Sequence, residues 1–203
     1  MFVPTVRDIR ARLRFWATAD RIGPDIPTSH WRLYFRTTAL ALCKEKFKDF
    51  ADTAEVRPGS YVIYPSMISI GARVVIRPGT MLMADDFAGI SIEDDVLMGS
   101  GIHVYSNDHA FDDPLVPIID QGYSPSLPVK IERGSWIGAN AIILKGVVVG
   151  ENSVVGAGAV VTKSVPPRSV AVGSPARVVR TIGSPGDVEI ARAALRDSPP
   201  RPR

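Results

Sequence analysis

The sequence is poor in the residues that build disulfide frameworks and metal centres. Cys43 is its only cysteine, which excludes an internal disulfide and any multi-cysteine zinc site and points to a reducing cytoplasm. Three histidines, His30, His103 and His109, are too few and too scattered to supply the converging imidazoles of a zinc hydrase, so no metal is expected. No apolar run reaches the ~18 residues of a membrane span, and Arg7, Arg10, Arg12 and Arg14 have no apolar stretch behind them to make a secretory leader. A net charge of +3 over 203 residues, with the basic residues dispersed, argues against a nucleic-acid partner.

Turn formers, by contrast, are abundant. Seventeen Gly and seventeen Pro are too many for a helical bundle, and the glycines lack the period of collagen. The length suits one core-bearing domain. Residues 1–52 read as a helical segment, with helices over 5–19 and 29–50 parted by Gly23, Pro24, Asp25, Ile26 and Pro27, and with Thr28 or Ser29 as the second N-cap.

A different period follows. Ile131, Ile137, Ile143, Val149, Val155 and Val161 fall in one column of a six-residue frame. With roughly a quarter of the chain Ile, Leu or Val, chance would produce this about once in four thousand trials. A second column, Ser135, Ala141, Val147, Ser153, Ala159 and Val165, is small or β-branched throughout. A third, Gly134, Asn140, Gly146, Asn152, Gly158 and Ser164, consists mostly of residues that tolerate positive φ. This is the pattern of a solenoid of short parallel strands joined by sharp corners, with the aliphatic column stacked inside.

The frame continues upstream through Val56, Val62, Ile70, Ile76, Leu82, Ile92, Met98 and Val104, slipping between Val62 and Ile70 and between Leu82 and Ile92, where bulges are expected. The repeats thus run from about 54 to 167. One interruption is far larger: residues 109–129, with Pro114, Pro117, Pro125 and Pro128, leave the solenoid as a flap, and long loops of this kind are often functional.

Three strings carry a resemblance: SNDHAF at Ser106 to Phe111, the run from Trp136 to Lys163, and the run from Val165 to Arg180. They resemble the hexapeptide-repeat acyltransferases, in the branch of sugar and polysaccharide O-acetyltransferases that includes galactoside and maltose acetyltransferases. The resemblance implies a mainly β fold, a left-handed parallel β-helix of three sixes per coil. It spans 53–181, after the N-terminal helical segment and before a short C-terminal helix and tail at 182–203. It also implies acetyl-CoA or another acyl-CoA as co-substrate, and a homotrimer with active sites between subunits.

Acyl transfer to a hydroxyl needs a base, and imidazole titrates near neutrality. The resemblance places that base at His109. A second histidine common two places on in the polysaccharide branch is here Phe111, which leaves His109 alone in the role. Asp108 beside it is a candidate to orient the ring, or else a turn residue bonding locally. His103, between Ile102 and Val104, is expected on the outer face. Cys43 in the helical segment and the lack of a GxSxG elbow argue against a covalent acyl-enzyme and for direct transfer in a ternary complex.

For the carrier, the resemblance maps contacts to Ala139, Ala157, Thr162, Lys163, Arg177 and Arg180. Small residues admit a pantetheine arm, and the cations suit its phosphates. On the acceptor side, Gly79 and Phe87 stand where galactoside and maltose enzymes have Asn and Asp, so a small disaccharide is not implied. Asp85 and Asp86 are candidates to bind acceptor hydroxyls or else solvated turn residues, Trp136 to line the acceptor cleft, pack against the flap or be buried in packing, and Tyr123 to shape the pocket. An N-acyltransferase acting on an amino sugar or antibiotic would use the same base and carrier site, and a non-catalytic scaffold would use neither. The helical segment is expected to cover an end or flank of the solenoid. Packing of its basic first helix is favoured over contact with an anionic membrane.

Overall fold

The computed structural model describes residues 5–183, so all but the first two residues of the expected C-terminal helix and tail lie outside it. The chain winds as a parallel solenoid of three long sheets, with a fourth, two-stranded one pairing Glu55–Val56 and Val75–Ile76. Face one stacks Tyr61–Ile63, Met81–Met83, His103–Tyr105, Ile142–Ile143 and Val160–Val161. Face two stacks Asp49–Phe50, Ile68–Ile70, Ile90–Ile92, Val129–Ile131 and Val148–Val149. Face three carries Leu97–Met98, Trp136–Ile137, Val154–Val155 and Ser169–Val172, and ends in the antiparallel strand Arg177–Thr181. Parallel strands run from Asp49 to Val172, one strand further at each end than the repeats in the sequence indicate.

Ile143 pairs with Val161, eighteen residues on, so one coil takes three sixes. Every residue of the aliphatic column from Ile131 to Val161 is 0% exposed, and the small column from Ser135 to Val165 is buried as well. A fully buried aliphatic side chain contributes on the order of 1.5–3 kcal/mol, so the ladder is the main source of stability. The small column includes two hydroxyls, and both are satisfied. Ser135 Oγ donates to Gly150 O at 2.9 Å and Ser153 Oγ to Pro166 O at 2.7 Å. In the third column Gly134, Asn140, Gly146, Asn152 and Gly158 all have positive φ. Ser164 does not share that conformation, and its Oγ instead accepts from Val148 N at 3.0 Å.

The slips are where the frame puts them. A 3-10 turn at Pro65–Met67 follows Tyr64, whose φ is 53°, and a tight turn capped by Asp85 lies between Met83 and Ile90. The third interruption is the flap. It separates Val104 from its partner Ile143 by thirty-nine residues instead of eighteen.

The N-terminal segment differs from expectation in two ways. The second helix is broken. A short helix, α2 (Pro27–His30), passes through a 3-10 turn (Trp31–Tyr34), the chain extends at Phe35 (φ −124°, ψ 119°), and α3 runs over Arg36–Lys46. Pro27 rather than Thr28 or Ser29 opens the helix, and Ser29 Oγ bonds back to Ile26 O at 3.1 Å. The break reorients the chain so that Leu33, Ala39, Leu42 and Cys43 all join the core cluster at the first coil. Arg21–Ile22 pairs antiparallel with Tyr61–Ile63 and closes the edge that this coil would leave open.

The first helix, α1 (Val6–Thr18), departs further. Thr5 and Asp8 form a capping box, with Asp8 N donating to Thr5 Oγ1 at 3.2 Å and Thr5 N to Asp8 Oδ2 at 2.9 Å. None of its residues is buried, so the expected packing of this helix on the solenoid is not what the structure shows.

Candidate functional site

The flap leaves face one directly after His103–Tyr105 and is not structureless. Its two arms pair, with Ala110 N donating to Gly122 O and Ser124 N to Asp108 O, both at 3.1 Å. His109 and Tyr123 form the bridge between them. Their rings stack at 4.7 Å with an interplanar angle of 23°.

His109 Nδ1 lies 3.3 Å from Gly122 O. A carbonyl can only accept, so this contact calls for a proton on Nδ1 and leaves the lone pair on Nε2. Gly122 has φ 75°, a left-handed backbone that aims one carbonyl at both the Ala110 N–H and the imidazole. The ring borders a cavity of about 580 Å³ with Arg21, Tyr64, Tyr105, Asn107 and Lys145 on its walls. A second cavity of about 640 Å³ adjoins it, sharing Tyr64, Asn107 and Tyr123 and adding Asp85, Asp86 and Ser126.

Asp108 does not hydrogen-bond the imidazole, though the two groups interact electrostatically. Its carboxylate accepts from Lys145 Nζ at 2.5 Å and from the Ser124 hydroxyl. Burial pushes the Asp108 carboxyl up, but the hydrogen bonds from Lys145 and Ser124 outweigh it and hold the group below the usual carboxylate range. Lys145 also reaches Ser124 Oγ and Pro125 O, the latter at 3.0 Å. One ammonium on the coil above thus fastens both arms of the flap beneath it.

Asp85 is similarly engaged. Its Oδ1 accepts from the Phe87 and Ala88 amides at 3.0 and 2.7 Å, and its Oδ2 from the Ser126 hydroxyl. Burial raises its carboxyl, and these bonds together with one from Asn107 bring it below the ordinary range. It ties the 84–89 turn to the end of the flap. Asp86 is the more available of the pair and hydrogen-bonds Tyr64, and its charge holds the Tyr64 phenol above its usual value. Phe87 is 88% exposed at the rim.

The remaining candidates lie on two edges of face one. Thr162 and Lys163 are exposed on the same edge as the flap, one coil beyond Leu144 and Lys145. Ala139 and Ala157 stand at the opposite edge in one corner column, where Gly158 N donates to Ala139 O at 2.9 Å. Arg177 pairs with Val172, whose side chain abuts Gly156 beside Ala157, and so belongs to that far edge; Arg180 follows on the same exposed strand. Trp136 is not brought to either cavity. It points outward from face three, between Leu97 and Val154, opposite the corner from which the flap departs. His103 faces outward on face one, its Nδ1 2.8 Å from the Tyr105 hydroxyl. Cys43 is buried, and burial pushes its thiol up to about 12, which removes it as a nucleophile. Among the described residues no three His, Cys, Asp or Glu side chains gather as metal ligands, and no helix is long and apolar enough to cross a membrane.

Sequence reasoning missed Lys145, Arg21, Tyr64 and Asn107. Lys145 had a signal in the frame, since it falls one coil beyond Ser106 at the mouth of the flap. Arg21 had none, because its position depends on a strand from the N-terminal segment pairing forty residues away.

The chain is similar to known proteins in sequence and fold. The family described as "Hexapeptide repeat of succinyl-transferase" matches residues 128–163. The galactoside O-acetyltransferase of Escherichia coli K12 is 37% identical over 142 residues, 70% of this chain and 68% of that protein. A galactoside acetyltransferase solved in complex with coenzyme A superposes with a TM-score of 0.68 at 28% identity, covering 90% of this chain and 86% of that one. A hexapeptide-repeat acetyltransferase from Vibrio cholerae, solved with acetyl coenzyme A, gives 0.64 at 27%, covering 79% and 91%.

Proposed function

The chain belongs to the hexapeptide-repeat acetyltransferases, and from that premise we propose that it moves the acetyl group of acetyl-CoA to a hydroxyl of a sugar or glycan. The observation that carries this is the His109 ring, held by Tyr123 and Gly122 at the wall of a cavity with Nε2 as its free base. Nε2 takes the proton of the acceptor hydroxyl as its oxygen attacks the thioester carbonyl. When the tetrahedral adduct breaks its C–S bond, the imidazolium returns the proton to the leaving thiolate. No residue is acylated. Asp86, with Tyr64, is the group best placed to bind a further acceptor hydroxyl.

Both edges of face one serve the carrier. Ala139 and Ala157 keep the far edge low enough for a pantetheine arm, with Arg177 and Arg180 for the phosphates; Thr162 and Lys163 border it on the His109 side. Ala157 and Thr162 stand before and after the strand Val160–Val161, at its two ends, so a carrier lying between solenoids would meet the far edge of one chain and the near edge of the next. A homotrimer supplies that arrangement. Exposed apolar surface supports it: Leu115 and Ile119 on the flap are 91% and 85% exposed, and Leu97 and Trp136 on face three are 55% and 50% exposed. Trp136 therefore belongs to subunit contact rather than to the acceptor. A cytoplasmic location agrees with the lone, reduced Cys43.

Calorimetry with coenzyme A, followed by thiol release from acetyl-CoA against a panel of glycosides and amino sugars, tests the assignment. His109→Ala should keep carrier affinity and lose about two to four orders of magnitude in turnover. Arg177→Ala should weaken carrier binding first. Wild-type turnover in His109→Ala would refute the base, and a preference for amines over hydroxyls would refute the acceptor class.

A further inference from the structure

α1 is amphipathic, and its apolar side is uncovered except at Trp16, which is half-buried. At 100° per residue, Trp16, Ile9, Leu13 and Val6 share an arc of about 80°. Val6, Ile9 and Leu13 are 65%, 46% and 53% exposed. Arg10, Arg14 and Arg7 run along one flank of this arc and Arg12 stands on the other. The only carboxylate in the helix, Asp8, is engaged in the Thr5 cap. A helix of 13 residues is marginal by itself in water, so something should cover the stripe.

We propose that α1 lies on an anionic bilayer surface and presents the His109 cavity to glycans that are still attached to lipid; the second half rests on the acetyltransferase assignment. Charge decides the occupant. Arginines on both sides of a narrow apolar stripe match a surface whose interior is hydrocarbon and whose headgroups are negative, with the long side chains reaching back to the phosphates. A second α1 would set arginine rows against arginine rows. The helix is also tied to the site. Trp16 Nε1 donates to Asp25 O at 3.0 Å, and the Arg21 guanidinium sits 5.8 Å from the Phe15 ring centroid. Arg21 is itself a wall of the His109 cavity. One side chain thus spans from the docking helix to the acceptor site, and a helix lying among headgroups would bring that cavity to the bilayer surface.

The full chain is sedimented with vesicles of phosphatidylcholine alone or of three parts phosphatidylcholine to one of phosphatidylglycerol. Binding is expected to the mixed vesicles, to weaken in high salt, and to fall about tenfold or more both on neutral vesicles and in Ile9→Asp/Leu13→Asp. The double variant should keep the wild-type circular dichroism, the wild-type mass by light scattering, and thiol release with a water-soluble glycoside. It should lose about tenfold against a glycolipid embedded in the mixed vesicles. Wild type that stays in the supernatant, or a variant that sediments as well as wild type, overturns the proposal. So does a variant of lower mass, which would make α1 a subunit contact. Wild type that binds vesicles but never releases thiol would refute the acetyltransferase assignment and leave the docking helix standing.

Discussion

The coils from Ile131 to Val172 and the flap between His103–Tyr105 and Val129–Ile131 are built on opposite principles. In the coils each core position is occupied by a similar side chain above and below, so the same contact is made repeatedly. In the flap each fastening is unique: Lys145 on Asp108 and Ser124, Asp85 on Ser126, Gln121 on Asp113. Redundancy gives the solenoid its stability, and singular polar contacts give the site its geometry. Damage to the first should unfold the protein, whereas damage to the second should silence it while it stays folded.

The largest effect should come from Ile143→Asp, which places a lone carboxylate among 0%-exposed neighbours and should cost on the order of 5 kcal/mol or more, read as lost soluble yield or a collapsed urea midpoint. Replacing 112–120 by two glycines should instead leave the melting temperature within a few degrees and abolish turnover; equal loss of both would break the comparison. Gly71→Ala is next. A β-carbon there runs into the Asp94 backbone nitrogen, and such overpacking costs about 1–3 kcal/mol, measurable by urea denaturation without loss of coenzyme A binding beyond that caused by unfolding.

Lys145→Ala should destabilise by only about 1–2 kcal/mol while lowering turnover about tenfold, because Asp108 and Ser124 lose the group that holds them together. Lys145→Arg should restore part of the rate. The smallest effect is one of pH. Asp85 and Asp108 titrate below their unfolded values, so their contribution is complete above the ordinary carboxylate range and is lost as pH falls through the lower folded values. Amide exchange in the flap should therefore gain protection with rising pH across that acidic window relative to the coils, after correction for intrinsic rates, and Asp85→Asn should flatten the difference.

The same divide explains what could be read in the sequence. The ladder residues repeat every six places, and the buried columns were therefore visible without coordinates. His109 and Tyr123 stood out because they interrupt the repeat. Trp136 was misplaced although the frame contained the answer. Val104 lies on face one and Ile131, next in the frame, on face two, so Trp136 beside Ile137 must lie on the third. The cross-coil bonds of Asp85 and Asp108 are not legible in the sequence because their partners, Ser126 and Lys145, are forty-one and thirty-seven residues away and meet them only through coil register. α1 showed its basic character but not its exposure, since periodicity reports an apolar side without saying what meets it.

The corners of the stack hold one more consequence. Asn140 directs its side-chain oxygen into the space over Gly101, and Asn152 does so over Gly134, so that a methyl group on either glycine would strike the amide of the storey above. Tongue and slot alternate up the prism, and the glycine of a pair cannot gain a side chain unless its asparagine gives way. Mutations at these bends should therefore be inherited in twos, one turn of the winding apart, leaving in any descendant lineage a record of which rung rests upon which.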